Sequence, residues 1–264
     1  MNIWTIAKKN IKNRSRKAMS DNQVGTYKLV ASPFHLDVRG KLSMGVLGKH
    51  LLNCADAYAA ERGFDVVEQG GEHYTWVLSR LAIELEDLPS CHESFSIQTW
   101  VENVYRLFAD RNFVIWDKDE KPIGYVRSVW AMISMETRNP ANLLALYGDR
   151  ITNSICEKEC PIAKPGRIKV SQQEAVSEYV AKYSDLDING HVNSIKYIEH
   201  ILDIFPLDIY KKKALKRFEI AYVAESYYGD TLSFYLEEKN ENEYDIEVRK
   251  SSTEVVVRSK VIFK

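Results

Sequence analysis

The chain contains an internal repeat, which constrains its fold more than any other feature of the sequence. Residues 36–43 read LDVRGKLS, and residues 186–193 read LDINGHVN. Each stretch leads into a mostly apolar segment that reaches a histidine and two aliphatic residues, HLL in the first copy and HIL in the second. Such self-similarity indicates that one structural unit occurs twice in the chain.

The two copies differ at positions suited to chemistry. Their leucine, aspartate and glycine recur, which fits a shared scaffold. Asn189 and His191 of the second copy are replaced by Arg39 and Lys41 in the first. An imidazole can exchange a proton near neutral pH, whereas lysine and arginine remain charged there. The sequence therefore predicts one chemically active copy and one silent copy.

Shorter matches elsewhere support the duplication. They pair residues 80–83 with 217–220, 95–97 with 232–234, and 126–128 with 257–259. One short match could arise by chance, but three in the same order indicate a repeat. The separation between matching residues decreases along the chain, so we expect the first copy to be longer through insertions.

The repeat and the composition together predict four segments. A basic extension, residues 1–20, is predicted to be disordered, because its first eighteen residues carry six Lys and Arg and no acid. The first unit comprises residues 21–140 and the second, with the polar motif, residues 171–264. Residues 141–170, which include two prolines, form the predicted linker.

Each unit shows the same order of predicted elements. A strand at 24–31 or 174–182 precedes a helix at 43–62 or 192–205, and four strands follow. The first helix is apolar around most of its circumference, which is typical of a buried helix. An antiparallel sheet around such a helix buries one face and exposes the other. We therefore predict an α+β protein with a double hotdog fold, two tandem units each wrapping an antiparallel sheet around a central helix.

Composition excludes several classes of protein. The net charge of −1 gives no general attraction to nucleic acid. The chain has no run of 18 apolar residues, so no membrane span is expected. Its four cysteines are few and irregularly spaced, which is typical of a reducing compartment and predicts a cytoplasmic protein. Cys156 and Cys160 lack a second ligand pair at zinc-finger spacing, so we predict neither a metal nor a cofactor.

The polar motif lies just before the second predicted helix. In an extended segment, residues two apart share a side, so Asp187, Asn189 and His191 would face one cleft and Ile188 would turn to the core. The free N–H groups at the start of the helix would stabilise negative charge there. The same pattern is also ordinary turn and capping chemistry, so a purely structural role stays open.

These groups suit the hydrolysis of an acyl thioester. A thiol has a pKa of roughly 8.5 by analogy with cysteine, so it leaves with little acid assistance. The remaining tasks are activating water and stabilising a tetrahedral oxyanion. A histidine can act as the base, an asparagine can donate to the oxyanion or hold the water, and an aspartate can orient either.

Residues 184–198, SDLDINGHVNSIKYI, resemble the motif of the acyl-ACP thioesterases, a family of plastid fatty-acid chain terminators and bacterial relatives. The resemblance includes residues 137–140 and 218–227, so it spans most of residues 24–264. It implies a double hotdog fold, in agreement with the repeat. It also implies hydrolysis of fatty acyl-ACP to free fatty acid and holo-ACP, with acyl carrier protein as the partner.

The resemblance also implies a set of catalytic residues, which are Asp187, Asn189, His191 and Glu225. Plant members typically follow the glutamate with a cysteine that was once proposed as a nucleophile, whereas this chain has Ser226. We therefore predict direct attack by water, with Glu225 or His191 as the base.

Two other functions stay open. One is an acyl-CoA thioesterase on the same fold. The other is a non-catalytic acyl-binding hotdog module, as in some lipid-responsive repressors, although the basic extension is too short to form a DNA-binding domain. A homodimer is also left open.

Three further expectations concern packing and docking. In the first predicted helix, Gly45 and Gly48 are expected to permit close packing against the sheet. Apolar residues of this helix are candidates for lining the acyl pocket or for the plain core, namely Met44, Leu47 and Leu51. The basic runs 211–213 and 216–217 could contact the acidic carrier protein or form a solvated surface.

Overall fold

The computed structural model describes residues 23–65, 67–251 and 253–264. The basic extension predicted for residues 1–20 lies outside the described residues. Within the described part, none of the helices combines the length and apolarity needed to cross a bilayer.

The elements follow the predicted order, with additions. The first unit contains strand β1 (Gly25–Val30), helix α1 (Met44–Arg62) and strands β2 (Val67–Gln69), β3 (Glu72–Leu85), β4 (Ser94–Val104), β5 (Phe108–Trp116) and β6 (Pro122–Ser134). Two short helices follow, α2 (Leu143–Tyr147) and α3 (Asp149–Thr152). The second unit contains β7 (Ser177–Val180), α4 (Ser194–Asp203), α5 (Leu207–Lys212), β8 (Leu215–Tyr222), β9 (Thr231–Asn240), β10 (Glu243–Lys250) and β11 (Glu254–Phe263).

One antiparallel sheet runs through both units. Its strand order is β1-β4-β5-β6-β3-β8-β11-β10-β9-β7, with β2 paired to β3. Apart from β2, each strand of the first unit has its counterpart in the second, so this order places equivalent strands at equivalent positions from either end. Strands β3 and β8 join the units in antiparallel register, with Leu81 opposite Ile220. The prediction of a double hotdog fold is confirmed.

The hydrogen-bond register supports two of the short sequence matches and shifts the third. The match of residues 80–83 with 217–220 makes Leu85 the counterpart of Tyr222. Leu85 lies opposite Gly124 in the first unit, and Tyr222 lies opposite Val257 in the second. The counterpart of Val257 is therefore Gly124, two residues before the predicted Val126. A slip of two residues keeps every side chain on its own face of the sheet, so the apolar pattern alone does not detect it.

The two central helices cross in close contact at the glycines of α1. A Cβ atom on Gly45 would lie 2.3 Å from Oε1 of Glu199, and one on Gly48 would lie 2.7 Å from Cδ1 of Ile195. Both contacts are with α4, so the prediction that these glycines pack against the sheet is wrong. The missing side chains let the two units share one apolar core.

The predicted linker crosses the face of the sheet opposite the core and is tied to both units. Arg127 donates to the carbonyl oxygen of Ile162, 2.7 Å away, and Arg217 donates to that of Ala163, 2.8 Å away. The segment also includes α2 and α3, which the sequence did not predict. The segment boundaries at 140/141 and 170/171 stay predictions.

Candidate active site

The polar motif forms a tight turn. The N–H of Asp187 donates to the carbonyl oxygen of His191, 2.8 Å away, and the N–H of Gly190 donates to that of Asp187 at 3.1 Å. Oδ1 of Asp187 accepts the N–H groups of Asn189 at 2.8 Å and His191 at 3.2 Å. Gly190 has a φ of 82°, which favours glycine. The carboxylate of Asp187 thus holds the shape of the loop.

The first copy has the same turn with different side chains. Oδ1 of Asp37 accepts the N–H of Arg39 at 2.9 Å and that of Lys41 at 3.3 Å, and Gly40 has a φ of 72°. The guanidinium of Arg39 turns back to the Asp37 carboxylate, and Lys41 pairs with Asp87. Both cations are therefore neutralised within their own unit.

Ile188 is 84 % exposed, so the prediction that it turns to the core is wrong. Its counterpart Val38 is 73 % exposed in the first unit. The alternation of sides applies to extended backbone. Here Asp187 closes a turn, and the side chain at its tip points away from the core.

The four predicted site residues line one cavity, which has a volume of about 410 Å³ and receives side chains from both units. These residues are Asp187, Asn189, His191 and Glu225. Glu225 reaches the motif because a bridge joins His191 to Tyr227, and the N–H of Val192 donates to the carbonyl oxygen of Ser226 at 2.8 Å. The carboxamide of Asn189 is exposed and bonds to no other residue that the structure describes.

His191 lies in the wall of this cavity, with Nε2 at 3.4 Å from Oε2 of Glu225. Burial lowers the pKa of the imidazole, Asp187 opposes this shift and Arg138 adds to it. The net shift is downward, so the ring is neutral at neutral pH and can accept a proton.

Arg138 also lines the cavity, although no role was predicted for this residue. Its guanidinium pairs with Oε1 of Glu225, and the hydroxyl of Tyr227 donates to Oε2 of the same carboxylate at 3.4 Å. Arg138 belongs to the segment 137–140, which the family resemblance included. That resemblance is the feature of the sequence that could have pointed to Arg138. The site is therefore assembled from both units.

Ser226 is an unsuitable nucleophile. Its side chain is completely buried beneath the loop and is not part of the cavity wall. None of the four cysteines lines the cavity. Cys54 is buried in the core, and burial raises its thiol pKa to about 12, so it is not a thiolate at neutral pH.

Helix α4 begins at Ser194, slightly later than predicted, and its first turn is capped by Asn193. The N–H of Asn193 donates to the carbonyl oxygen of Asp185, and that of Ile195 to the side chain of Asn193. In the described part of the chain, the N–H of Ser194 has no acceptor, and Ser194 lines the cavity. This N–H is available to a ligand with negative charge.

The rest of the cavity wall comes mainly from the first unit. Met44, Leu47 and Leu51, which the sequence left as candidates for the acyl pocket or the plain core, are buried in the core. Apolar residues that do line the cavity include Leu52, Ala55, Ala59, Trp76, Leu78 and Trp130. Arg111 of β5 lines it as well and is buried, and no carboxylate of a described residue pairs with its guanidinium.

No group of three or more His, Cys, Asp and Glu residues in the described ranges is arranged to hold a metal ion.

Comparison with known families agrees with this geometry. Residues 26–148 match the acyl-ACP thioesterase N-terminal domain, and residues 168–264 match the acyl-ACP thioesterase C-terminal domain. The chain belongs to the acyl-ACP thioesterase family.

Solved structures show the same relationship. The chain is 60 % identical to an acyl-ACP thioesterase from Bacteroides thetaiotaomicron, with a TM-score of 0.88 over 93 % of this chain and 100 % of that one. A 12:0-ACP thioesterase from Umbellularia californica shares the fold, with a TM-score of 0.79 and 16 % identity over 92 % of this chain and 98 % of that one.

A curated plant relative is more distant. A chloroplastic palmitoyl-acyl carrier protein thioesterase of Arabidopsis thaliana is 25 % identical over 56 % of this chain and 37 % of its own length. The chain spans less than half of the length of the curated relatives compared first.

Proposed function

We propose that the protein hydrolyses fatty acyl-ACP thioesters to free fatty acid and holo-ACP and thereby terminates fatty acid synthesis. One observation carries the proposal: Asn189, His191 and Glu225 meet in the wall of a single cavity that has an extensive apolar lining, in a chain of the acyl-ACP thioesterase family. The acyl chain would occupy that lining, which comes mainly from the first unit, beside the polar groups of the second.

In the proposed reaction, water attacks the thioester carbonyl carbon and passes a proton to His191. The lowered pKa of His191 supports this role, since a base must be neutral before the reaction. The carboxylate of Glu225, 3.4 Å from Nε2, stabilises the imidazolium that forms. The carboxamide of Asn189 and the N–H of Ser194 donate to the oxyanion. The C–S bond then breaks, and the imidazolium returns its proton to the leaving thiolate.

The carrier preference tests the function. We expect acyl-ACP to have a higher kcat/KM than the acyl-CoA with the same chain, and the ratio to fall as salt rises, because charge steering is screened. The measurement is thiol release from matched pairs of substrates at low and high ionic strength. Equal kcat/KM values at low salt would favour an acyl-CoA thioesterase, and no turnover of either carrier would favour a non-catalytic acyl-binding module.

The absence of a covalent intermediate tests the mechanism. Acid-quenched protein taken during turnover should show only its unmodified mass, because Ser226 and the cysteines lie away from the cavity. The matched control is the same quench with His191→Ala protein, which sets the background of non-specific acylation. A stoichiometric acyl adduct on Ser226 or on any cysteine of the active protein would contradict direct attack by water.

We also propose a cytoplasmic location, which the four free thiols support because they suit a reducing compartment. Each chain carries both units and one polar site, so a homodimer would bring together two sites.

A further inference from the structure

Arg138 connects the first unit to the reactive loop of the second. It follows strand β6, and its guanidinium pairs with the carboxylate of Glu225, 87 residues further along the chain. It lines the same cavity as His191. No other cation of the described residues pairs with Glu225 through its carboxylate.

The backbone at Arg138 is held in an unfavourable conformation. Its φ is 60°, in the left-handed region that residues with a Cβ atom rarely adopt. The N–H of Arg138 donates to the carbonyl oxygen of Ser134, and the N–H of Ser134 donates to that of Asn139, both at 3.0 Å. An outlier of this kind motivates the hypothesis that the side chain has a function.

Stability does not explain the ion pair. The side chain of Arg138 is 40 % exposed and that of Glu225 is 37 % exposed. Ion pairs with this exposure are screened by water and contribute little to the stability of a fold. We therefore expect this ion pair to have its effect on the residues beside it in the cavity wall.

Asp187 and Arg138 shift the pKa of the His191 imidazole through their charges. Glu225 and Tyr227 contact the ring, and Lys250 of β10 donates to the backbone carbonyl oxygen of Glu225. An unpaired carboxylate at the 3.4 Å that separates Glu225 from His191 would favour the imidazolium. An imidazolium cannot take a proton from water. A guanidinium that pairs with the same carboxylate offsets its negative charge, so the carboxylate no longer favours protonation of the imidazole.

We propose that Arg138 is a positioning residue, which pairs with Glu225 so that the carboxylate stays beside His191 while the imidazole remains neutral and able to accept a proton. This inference rests on the proposed function, because it assigns His191 the role of base. The charge of Arg138 also lowers the pKa of His191 directly, after burial, so the experiment separates this direct effect from the effect through Glu225.

The test is the titration of His191 itself, followed by NMR in the full chain without substrate. In Arg138→Met, the pKa of His191 should rise by about one unit, because Glu225 is then an unpaired carboxylate beside the ring. The pKa of the acid limb in the pH profile of kcat/KM should rise by the same amount. Arg138→Lys should restore much of the original titration, because the ammonium keeps the positive charge beside Glu225.

Two controls separate this role from others. Arg106→Met removes one exposed cation that has no ion-pair partner among the described residues, and it should leave the titration unchanged. Arg138→Gly suits the positive φ, so its Tm should stay within about 4 °C of the wild type while the titration shifts as in Arg138→Met. A large loss of Tm in Arg138→Gly with an unshifted titration would show a structural role instead.

The Glu225→Gln background tests whether Arg138 acts through Glu225. There, adding Arg138→Met should raise the pKa of His191 by less than half of the shift seen when Glu225 is present. An equal shift in both backgrounds would overturn the proposal in favour of a direct effect of Arg138 on His191. An unshifted titration in Arg138→Met would overturn it even if acyl-ACP is hydrolysed, and a shifted titration without hydrolysis would count against the proposed function alone.

Discussion

Replacing His191 by alanine should reduce thioester hydrolysis by about 10²–10⁴-fold, the usual range for the loss of a general base. The ring lies in the wall of a cavity, where it contacts Glu225 through Nε2 and the ring of Tyr227, so its removal leaves the core intact. The measurement is kcat/KM for acyl-ACP, with Tm as the check on folding. Tm should change little.

The repeat itself provides the matched control. Arg39→Ala with Lys41→Ala changes the equivalent positions of the first unit, where both cations are paired within their own unit. Turnover should stay within a few-fold of the wild type. Comparable losses of turnover in the two variants would refute the reading of one active site per chain, and near-normal turnover in a folded His191→Ala protein would refute the role of His191.

Replacing Arg217 by methionine should lower the free energy of unfolding by about 3–5 kcal/mol, the usual cost of breaking a buried ion pair. Arg217 lies 2.7 Å from Glu219 in its own strand and 2.7 Å from Glu84 in the other unit. Glu219 is buried, so the substitution leaves an uncompensated charge at the seam between the units. The measurement is equilibrium unfolding in urea.

Lys211→Met is the control for that prediction. The pair that Lys211 forms with Asp208 is exposed, so its loss should cost no more than about 1 kcal/mol. Arg217→Met with Glu219→Leu should recover part of the stability, because no buried charge then remains on β8. A decrease of less than about 1 kcal/mol in the free energy of unfolding of Arg217→Met would contradict a stabilising role of this ion-pair network between β3 and β8. The burial of Arg217 also excludes it from the basic surface that the sequence left open as a carrier contact or a solvated surface.

Local features of the fold followed from the sequence because they depend on neighbouring residues. The first helix, predicted at residues 43–62, lies at Met44–Arg62: Oγ of Ser43 accepts the N–H of Val46 at its start, and Gly63 ends it with a φ of 71°. The duplicated motif adopts the same turn in both units. The order of the strands in each unit also followed, since alternation of apolar residues along a chain is a local signal.

The candidate site could be predicted only in part. Asp187, Asn189 and His191 lie within one turn, so their proximity was inherent in the motif. Glu225 was reached through the family resemblance alone, because nothing in a lone glutamate after a strand indicates chemistry. Arg138 could not be predicted for the same reason, because its partner Glu225 lies in the other unit and nothing near Arg138 in the chain indicates the contact.

The sequence by itself determined that this protein has two similar units and that only the second carries an amide and an imidazole in its motif. The tertiary structure decided where those units meet, which face of α1 lines the cavity and which lies in the core, and which arginine reaches Glu225. It also decided that Ile188 points outward, because a closed turn overrides the alternation of an extended strand. The physical reason is that turns and helix caps form from residues close in the chain, whereas the seam depends on distances between side chains far apart in sequence.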